Sequence, residues 1–253
     1  IFNKLFEKII ANRLNEFIIE NNLWTNSQFG FRKNLTIDHA IFRLVNNILP
    51  TFHKKTYTVC LFLDLQKAFD TVDKLILLEK LEHYGIRNTA KELLNSYLTG
   101  RTQYVLCNSV MSAKCPISCG VPQGSVLGPI LFNIFINDLP SICNSNVVLY
   151  ADDAVLCITD DDFSQVITQL KALIADLSKW LLLNKLTAHE NKTKLMLFTP
   201  RPTPLYPVIT FNGKVLEWVE NFKYLGMILD NNLTFSSHIN LTCKKLSKAV
   251  GIM

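Results

Sequence analysis

Two apolar runs, Val147-Val148-Leu149-Tyr150 and Ala154-Val155-Leu156, are joined by adjacent aspartates, Asp152-Asp153. Runs of this length and composition read as strands, so the segment Val147 to Ile158 is expected to be a hairpin with acids at its tip. Adjacent carboxylates repel, and a pair such as Asn-Gly would close the turn at less cost. A divalent cation relieves such repulsion, and hard oxygen donors suit Mg²⁺. Taken alone, the pair is equally an ordinary polar turn. A third carboxylate narrows the choice. Asp64 closes Leu61-Phe62-Leu63-Asp64 within Thr56 to Leu65, which reads as a buried strand. An ionised group there is costly unless it is hydrogen-bonded or binds a cation; the plainer reading is a cap for a following helix. Between these elements lies Gly120-Val121-Pro122-Gln123-Gly124-Ser125, opening an apolar helix to about Leu139 with Ser125 as candidate N-cap. Such a set can hold two cations about 3.5–4 Å apart, the arrangement used for in-line phosphoryl displacement.

The remaining periodicities predict helices over residues 1–23 (Leu5, Ile9, Ile10, Leu14, Phe17 and Ile18 on one face), Ile37 to Leu49 with Pro50 as stop, Lys74 to Tyr84 with Gly85 as cap, Thr89 to Leu98, Phe163 to Leu186, and His238 to Ile252. Strands are expected at Gln103 to Cys107, Ser112 to Ser118, Lys194 to Phe198, Val208 to Phe211 and Phe222 to Leu229. Thr199 to Pro207 holds four prolines and is expected to be a subdomain boundary. The chain has 253 residues, 49% hydrophobic and 19% charged, enough to bury a core and too apolar for a disordered chain. Its net charge of +5 permits a nucleic-acid partner. It begins at Ile1 inside a helical pattern and is read as a segment of a longer polypeptide, with no signal peptide and no membrane-spanning run. The 7 cysteines are scattered without Cys-x-x-Cys, and Cys60, Cys107 and Cys157 are expected to be small buried hydrophobes in a reducing compartment. Cys115 and Cys119 lack partners at zinc-ligand spacing, and the 5 His show no ligand spacing.

Six segments, in order, carry a family resemblance: Gln28-Phe29-Gly30-Phe31-Arg32-Lys33; Phe62-Leu63-Asp64-Leu65-Gln66-Lys67-Ala68-Phe69-Asp70; Gly120-Val121-Pro122-Gln123-Gly124-Ser125-Val126-Leu127-Gly128-Pro129; Tyr150-Ala151-Asp152-Asp153; Asn191-Lys192-Thr193-Lys194; and Phe222-Lys223-Tyr224-Leu225-Gly226. The chain resembles the reverse transcriptase of non-LTR (LINE-type) retrotransposons over nearly its whole length. The resemblance implies an α+β right-hand polymerase, palm and fingers with the beginning of a thumb. Partial fingers are expected at 1–55, a palm at 56–200 with a fingers-side insertion at about 86–118, a primer-grip hairpin region at 201–235, and the start of a thumb at 236–253.

By the same resemblance, Asp64, Asp152 and Asp153 hold two Mg²⁺ ions, with Mn²⁺ as the alternative, and the carbonyl of Leu65 adds a ligand. Lys192 protonates the leaving pyrophosphate; by spacing alone it is equally a surface lysine. Arg32 contacts the triphosphate, Phe69 is the steric gate against a 2′-hydroxyl, and Gln123 and Gly124 approach the incoming nucleotide, Gln123 through sugar or phosphate. By spacing alone, Phe69 is equally a core residue. Tyr150 packs near the primer end; Phe222, Lys223, Tyr224, Leu225 and Gly226 form the primer grip; Lys244, Lys245 and Lys248 face a phosphate backbone or plain solvent. The implied partners are an RNA template, a DNA primer and dNTPs, inside the cell in cytoplasm and nucleus, within a parent polypeptide bearing an endonuclease. The chain departs from the family pattern at Thr36-Ile37 and Ala188-His189, where Ser-Thr and Leu-Asn are usual. Ala151 and Phe69 rank an RNA-templated RNA polymerase below this reading, and the wording of the fingers and primer-grip segments does the same for a group II intron maturase. A non-catalytic, palm-derived nucleic-acid-binding fragment is the alternative from another class.

Overall fold

Tyr57–Asp64 organises the molecule because its sequence alternates between two cores. In the computed structural model, which describes residues 2–142, 146–202 and 204–251, the interior of this strand is buried on both faces. Val59, Leu61 and Leu63 enter one core with Leu77, Leu81, Leu131, Phe135, Leu170 and Leu177. Cys60 and Phe62 enter the other with Ala40, Leu44, Ile48, Val148, Val155 and Tyr224. A strand buried on both sides reads as a continuous apolar run, as this one does.

The strand is the middle of a five-stranded sheet ordered Glu217–Trp218, Lys194–Phe198, Tyr57–Asp64, Asp153–Asp160, Asn146–Tyr150. Every neighbouring pair is antiparallel except Glu217–Trp218 against Lys194–Phe198. Helices Lys74–His83, Gly128–Ile136 and Phe163–Leu183 supply the first core. The last is capped by Asp162, whose side chain accepts from the Ser164 N–H. Helix Ile37–Lys54 and the hairpin Asn221–Tyr224/Met227–Asp230 cover the opposite face.

Several expectations are corrected. Pro50 does not stop its helix, which runs on to Lys54. Pro50 and Asn46 lie on the exposed face, so the carbonyl that loses its helical donor stays in reach of water, while Ile48 and Thr51 bury the opposite side. The predicted helical face of the first segment is only half used: helix Phe2–Glu20 buries Ala11, Leu14 and Ile18 but exposes Leu5 and Ile9. Ser125 is not the N-cap of Gly128–Ile136, a position held by Leu127, although its hydroxyl accepts from the Gly128 N–H at 2.9 Å. The run Phe222 to Leu229 is a hairpin rather than one strand, turning at Leu225-Gly226, both at positive φ. Cys60 and Cys157 are buried register partners, Sγ to Sγ 2.8 Å, but Cys107, Cys115, Cys119 and Cys243 are exposed. The short pairs Thr102–Gln103/Cys115–Pro116 and Leu106–Cys107/Val110–Met111 form a hairpin away from the core, which is why the apolar run around Cys107 is not buried.

The proline-rich stretch is strapped to the sheet: Tyr206 stacks on Trp218, and the Trp218 indole donates to Pro207 O. Ile209, Phe211 and Leu216 then rejoin the first core. The last helix, Ser236–Val250, buries no side chain; its predicted end at Ile252, and the predicted start of the first helix at Ile1, lie outside the described residues. Among the described residues no helix is long and apolar enough to cross a membrane.

Candidate active site

The register of the sheet places the acids. Asp64 and Asp153 are direct cross-strand partners at the end of Tyr57–Asp64, and Tyr150 is the partner of Asp153 on its other side. Asp152 occupies the two-residue turn between Tyr150 and Asp153, behind Ala151 at φ +54°. The tip of the predicted hairpin is therefore Ala151-Asp152, and Asp153 is the first residue of the returning strand.

The strained turn is welded to a distant segment. Gln28, fully buried, accepts through Oε1 from the Gly30 N–H at 2.8 Å and the Ala151 N–H at 3.1 Å. Phe29 N–H donates to Leu149 O and Leu149 N–H to Ser27 O, both at 2.8 Å. Asn133 Nδ2 donates to Gly30 O at 2.7 Å. Gly30 is glycine because a Cβ there would fall on the Ala151 backbone nitrogen and lie 3.0 Å from the Tyr150 carbonyl carbon. Gln28 and Gly30 stand in the first family-like segment, but this task is not visible in it, and Asn133 lies outside all six segments. The signal was available: Asn133 is the polar residue inside the otherwise apolar helix Gly128–Ile136 and Asn137, four on, caps its end, and both clamp the 23–30 segment.

A cleft of about 360 Å³ joins Asp64, Asp153, Asn191, Lys192, Phe222, Lys223 and Tyr224. Lys192 Nζ lies 3.2 Å from Asp64 Oδ2. Burial and the neighbouring charges of Asp152 and Asp64 raise the Asp153 carboxyl to about 6, opposed by Lys192. Burial also raises Asp152, with Asp64 adding to it and its own backbone N–H and Lys192 opposing. The acids are half-buried rather than buried. Tyr224 carries a buried hydroxyl with no partner among the described residues, and burial together with the Asp153 charge pushes its ionisation up.

Among the described residues no group of three or more His, Cys, Asp or Glu is arranged to hold a metal ion. The donor chemistry nonetheless suits a hard divalent cation, because the carboxylates of Asp152 and Asp64 act as neighbouring negative charges on Asp153, and Lys192 is ion-paired with Asp64. The strand leaving Asp64 is held by Gln66 N–H to Thr187 O and His189 N–H to Asp64 O, bonds that leave the Leu65 carbonyl outside the ladder.

Phe69 stacks on Phe132 at 4.4 Å between centroids and meets Phe31 edge-on at 6.2 Å. Gln123 faces a separate cleft, where its amide donates to Asp70. Gly124 sits at φ +73° with open space around a would-be Cβ. Arg32 is not brought to the carboxylates; its Nη1 donates to Thr25 O and Gln28 O, and its guanidinium lies over Trp24. Leu225 and Gly226 form the turn of the Asn221–Asp230 hairpin, whose Phe222 packs on Phe62 at 4.3 Å.

The family profile described as reverse transcriptase (RNA-dependent DNA polymerase) matches residues 1–229. The chain belongs to the reverse transcriptase family. Relatives of this reverse transcriptase domain in Drosophila melanogaster include the probable RNA-directed DNA polymerase from transposon BS, 32% identical over 96% of the chain, and the RNA-directed DNA polymerase from mobile element jockey, 33% identical over 93%. The chain spans 28% and 26% of their lengths. The non-LTR resemblance read from the motifs is thereby borne out. Telomerase from Candida albicans, solved in complex with a fragment of telomeric RNA, has a TM-score of 0.60 at 13% identity, covering 91% of this chain and 39% of its own. Apo telomerase from Candida tropicalis gives the same TM-score at 12% identity. These likenesses concern the fold, and they support the right-hand polymerase architecture expected from the sequence.

Proposed function

We propose that this reverse transcriptase domain is the polymerase core of an RNA-directed DNA polymerase, extending a DNA 3′-hydroxyl with dNTPs on an RNA template. The observation that carries the reading is the register pairing of Asp64 with Asp153 in a cleft shared with Lys192 and the Asn221–Asp230 hairpin. Fingers at 1–55, palm at 56–200, primer-grip region at 201–235 and thumb start at 236–253 are the proposed division.

Asp64, Asp152 and Asp153 would hold two Mg²⁺ ions, or Mn²⁺, with the Leu65 carbonyl as a further donor; bound there, such ions would lower the pKa of the primer hydroxyl and neutralise the triphosphate. The chain's own groups do the rest. Gln28 fixes the Asp152 turn. Lys192, an ammonium beside Asp64, is the proton donor for departing pyrophosphate. Phe69, braced by Phe132, presents a rigid ring edge against a 2′-hydroxyl. Gly124 leaves room for a nucleotide at the loop, and Arg32, held through one nitrogen, keeps further donors of its fork for phosphate. Phe222, Lys223, Tyr224, Leu225 and Gly226 seat the primer end beside Asp153.

The test is primer extension on an RNA template with Mg²⁺. Asp152→Asn is expected to abolish extension while template binding persists. Extension retained in that variant would sink the carboxylate assignment.

A further inference from the structure

The segment bearing Phe69 is fastened to the 120–125 loop at three levels. Val121 N–H donates to Phe69 O at 2.8 Å and Gly120 N–H to Val72 O at 2.7 Å. The two backbones lie so close that a Cβ on Gly120, at φ +87°, would come within 2.7 Å of Asp70 O. The third tie is between side chains: Gln123 Nε2 donates to Asp70 Oδ1 at 2.8 Å. Lys67 and Arg101 stand in the wall of the same cleft, of about 650 Å³. Among the described residues Asp70 nonetheless forms no ion pair, and its bond goes to the amide.

That choice of partner fixes a polarity. A carboxylate accepts and does not donate, whereas a primary amide has one end of each kind. The bond to Asp70 therefore decides the orientation of the Gln123 amide, nitrogen toward Asp70 and oxygen away from it. An outward carbonyl oxygen receives a hydroxyl donor and repels a phosphate.

We propose that Asp70 is a positioning residue for nucleotide selection: it holds Gln123 with its carbonyl oxygen toward a sugar hydroxyl of the incoming nucleotide, and it ties that amide to the segment carrying Phe69. Loop and gate then move as one body. The inference rests on the polymerase reading above and sharpens the expected Gln123 contact from sugar or phosphate to sugar.

The experiment is steady-state primer extension by the full chain, measuring KM and kcat for dNTP in wild type, Asp70→Ala, Gln123→Glu and the double variant Asp70→Asn/Gln123→Glu. Asp70→Ala releases the amide; KM is expected to rise about tenfold, the roughly 1.4 kcal/mol of one hydrogen bond to a charged group, with kcat little changed. Gln123→Glu sets two carboxylates face to face and raises KM further. The double variant places an amide donor opposite a carboxylate and again leaves an oxygen outward, returning KM to within about threefold of wild type. A purely structural defect would lower the active fraction without moving KM and would not be repaired by the exchange. Unchanged KM in Asp70→Ala overturns the inference, as does a double variant no better than Gln123→Glu. A wild-type chain that extends no primer overturns the polymerase reading and this inference together; a wild type that extends while Asp70→Ala keeps its KM overturns the inference alone.

Discussion

Replacing Gln28 with leucine tests how the Asp152 turn is held. The amide oxygen accepts from two N–H groups, those of Gly30 and Ala151, inside a fully buried side chain. Leucine has similar bulk and no acceptor, so both donors lose their partner. Each buried donor left unmade costs about 1–3 kcal/mol. The substitution also removes Gln28 Nε2, which is buried with no partner among the described residues, and that returns about 1 kcal/mol. The expected net loss is about 1–5 kcal/mol, a large share of the roughly 5–15 kcal/mol that stabilises a domain. The damage falls where Ala151 is already at φ +54°, so the turn relaxes and Asp152 moves. A displacement near 1 Å in a reacting constellation costs about a hundredfold in rate. Urea denaturation should show a lower midpoint at unchanged slope. Primer extension should fall further than the loss of folded protein explains. A Gln28→Leu variant destabilised by under about 1 kcal/mol, or one that extends at the wild-type rate, refutes the reasoning.

Two other outcomes follow from the same site. Phe69→Val removes the ring that Phe132 braces and should admit rNTPs in competition assays; unchanged dNTP/rNTP discrimination would remove Phe69 from the gate. Asp153, raised to about 6, binds its proton more tightly folded than unfolded, so its ionisation destabilises the fold as pH rises from the ordinary carboxylate range through about 6. Asp153→Asn should therefore abolish extension yet stabilise the metal-free protein above pH 6 by about 1 kcal/mol, discounted for partial exposure. Equal melting temperatures for the variant and wild type at pH 7.5 would contradict the assigned repulsion.

Local pattern made much of this molecule legible. Lys194–Phe198 and the paired strands around Asp152-Asp153 carry alternating or continuous apolar runs, and the structure places them as expected. Asp64 was singled out because a carboxylate closing a buried strand needs a reason, and its register partner is another carboxylate. What stayed hidden depends on contacts between residues far apart in sequence. Gln28 reaches Ala151, Asn133 reaches Gly30 and Gln123 reaches Asp70, and no periodicity announces such pairs. Pro50 fails to stop its helix because a missing N–H is tolerated on a solvent face, and which face it occupies is decided by packing. The apolar run at Cys107 stays exposed because its hairpin projects beyond the core that would have covered it.

The alternation along Tyr57–Asp64 makes the central strand a parity code. Even-numbered positions from Cys60 to Asp64 form one file ending in the acid, and odd-numbered ones from Val59 to Leu63 belong to the first core. A single-residue insertion or deletion between Tyr57 and Asp64 would exchange the files, turning the carboxylate side chain toward the first core and that of Leu63 toward the second. A two-residue change would shorten or lengthen the strand but keep each file on its own side. Length variation among descendants of such a domain should therefore accumulate in its surface turns and, where it touches this strand at all, arrive in pairs.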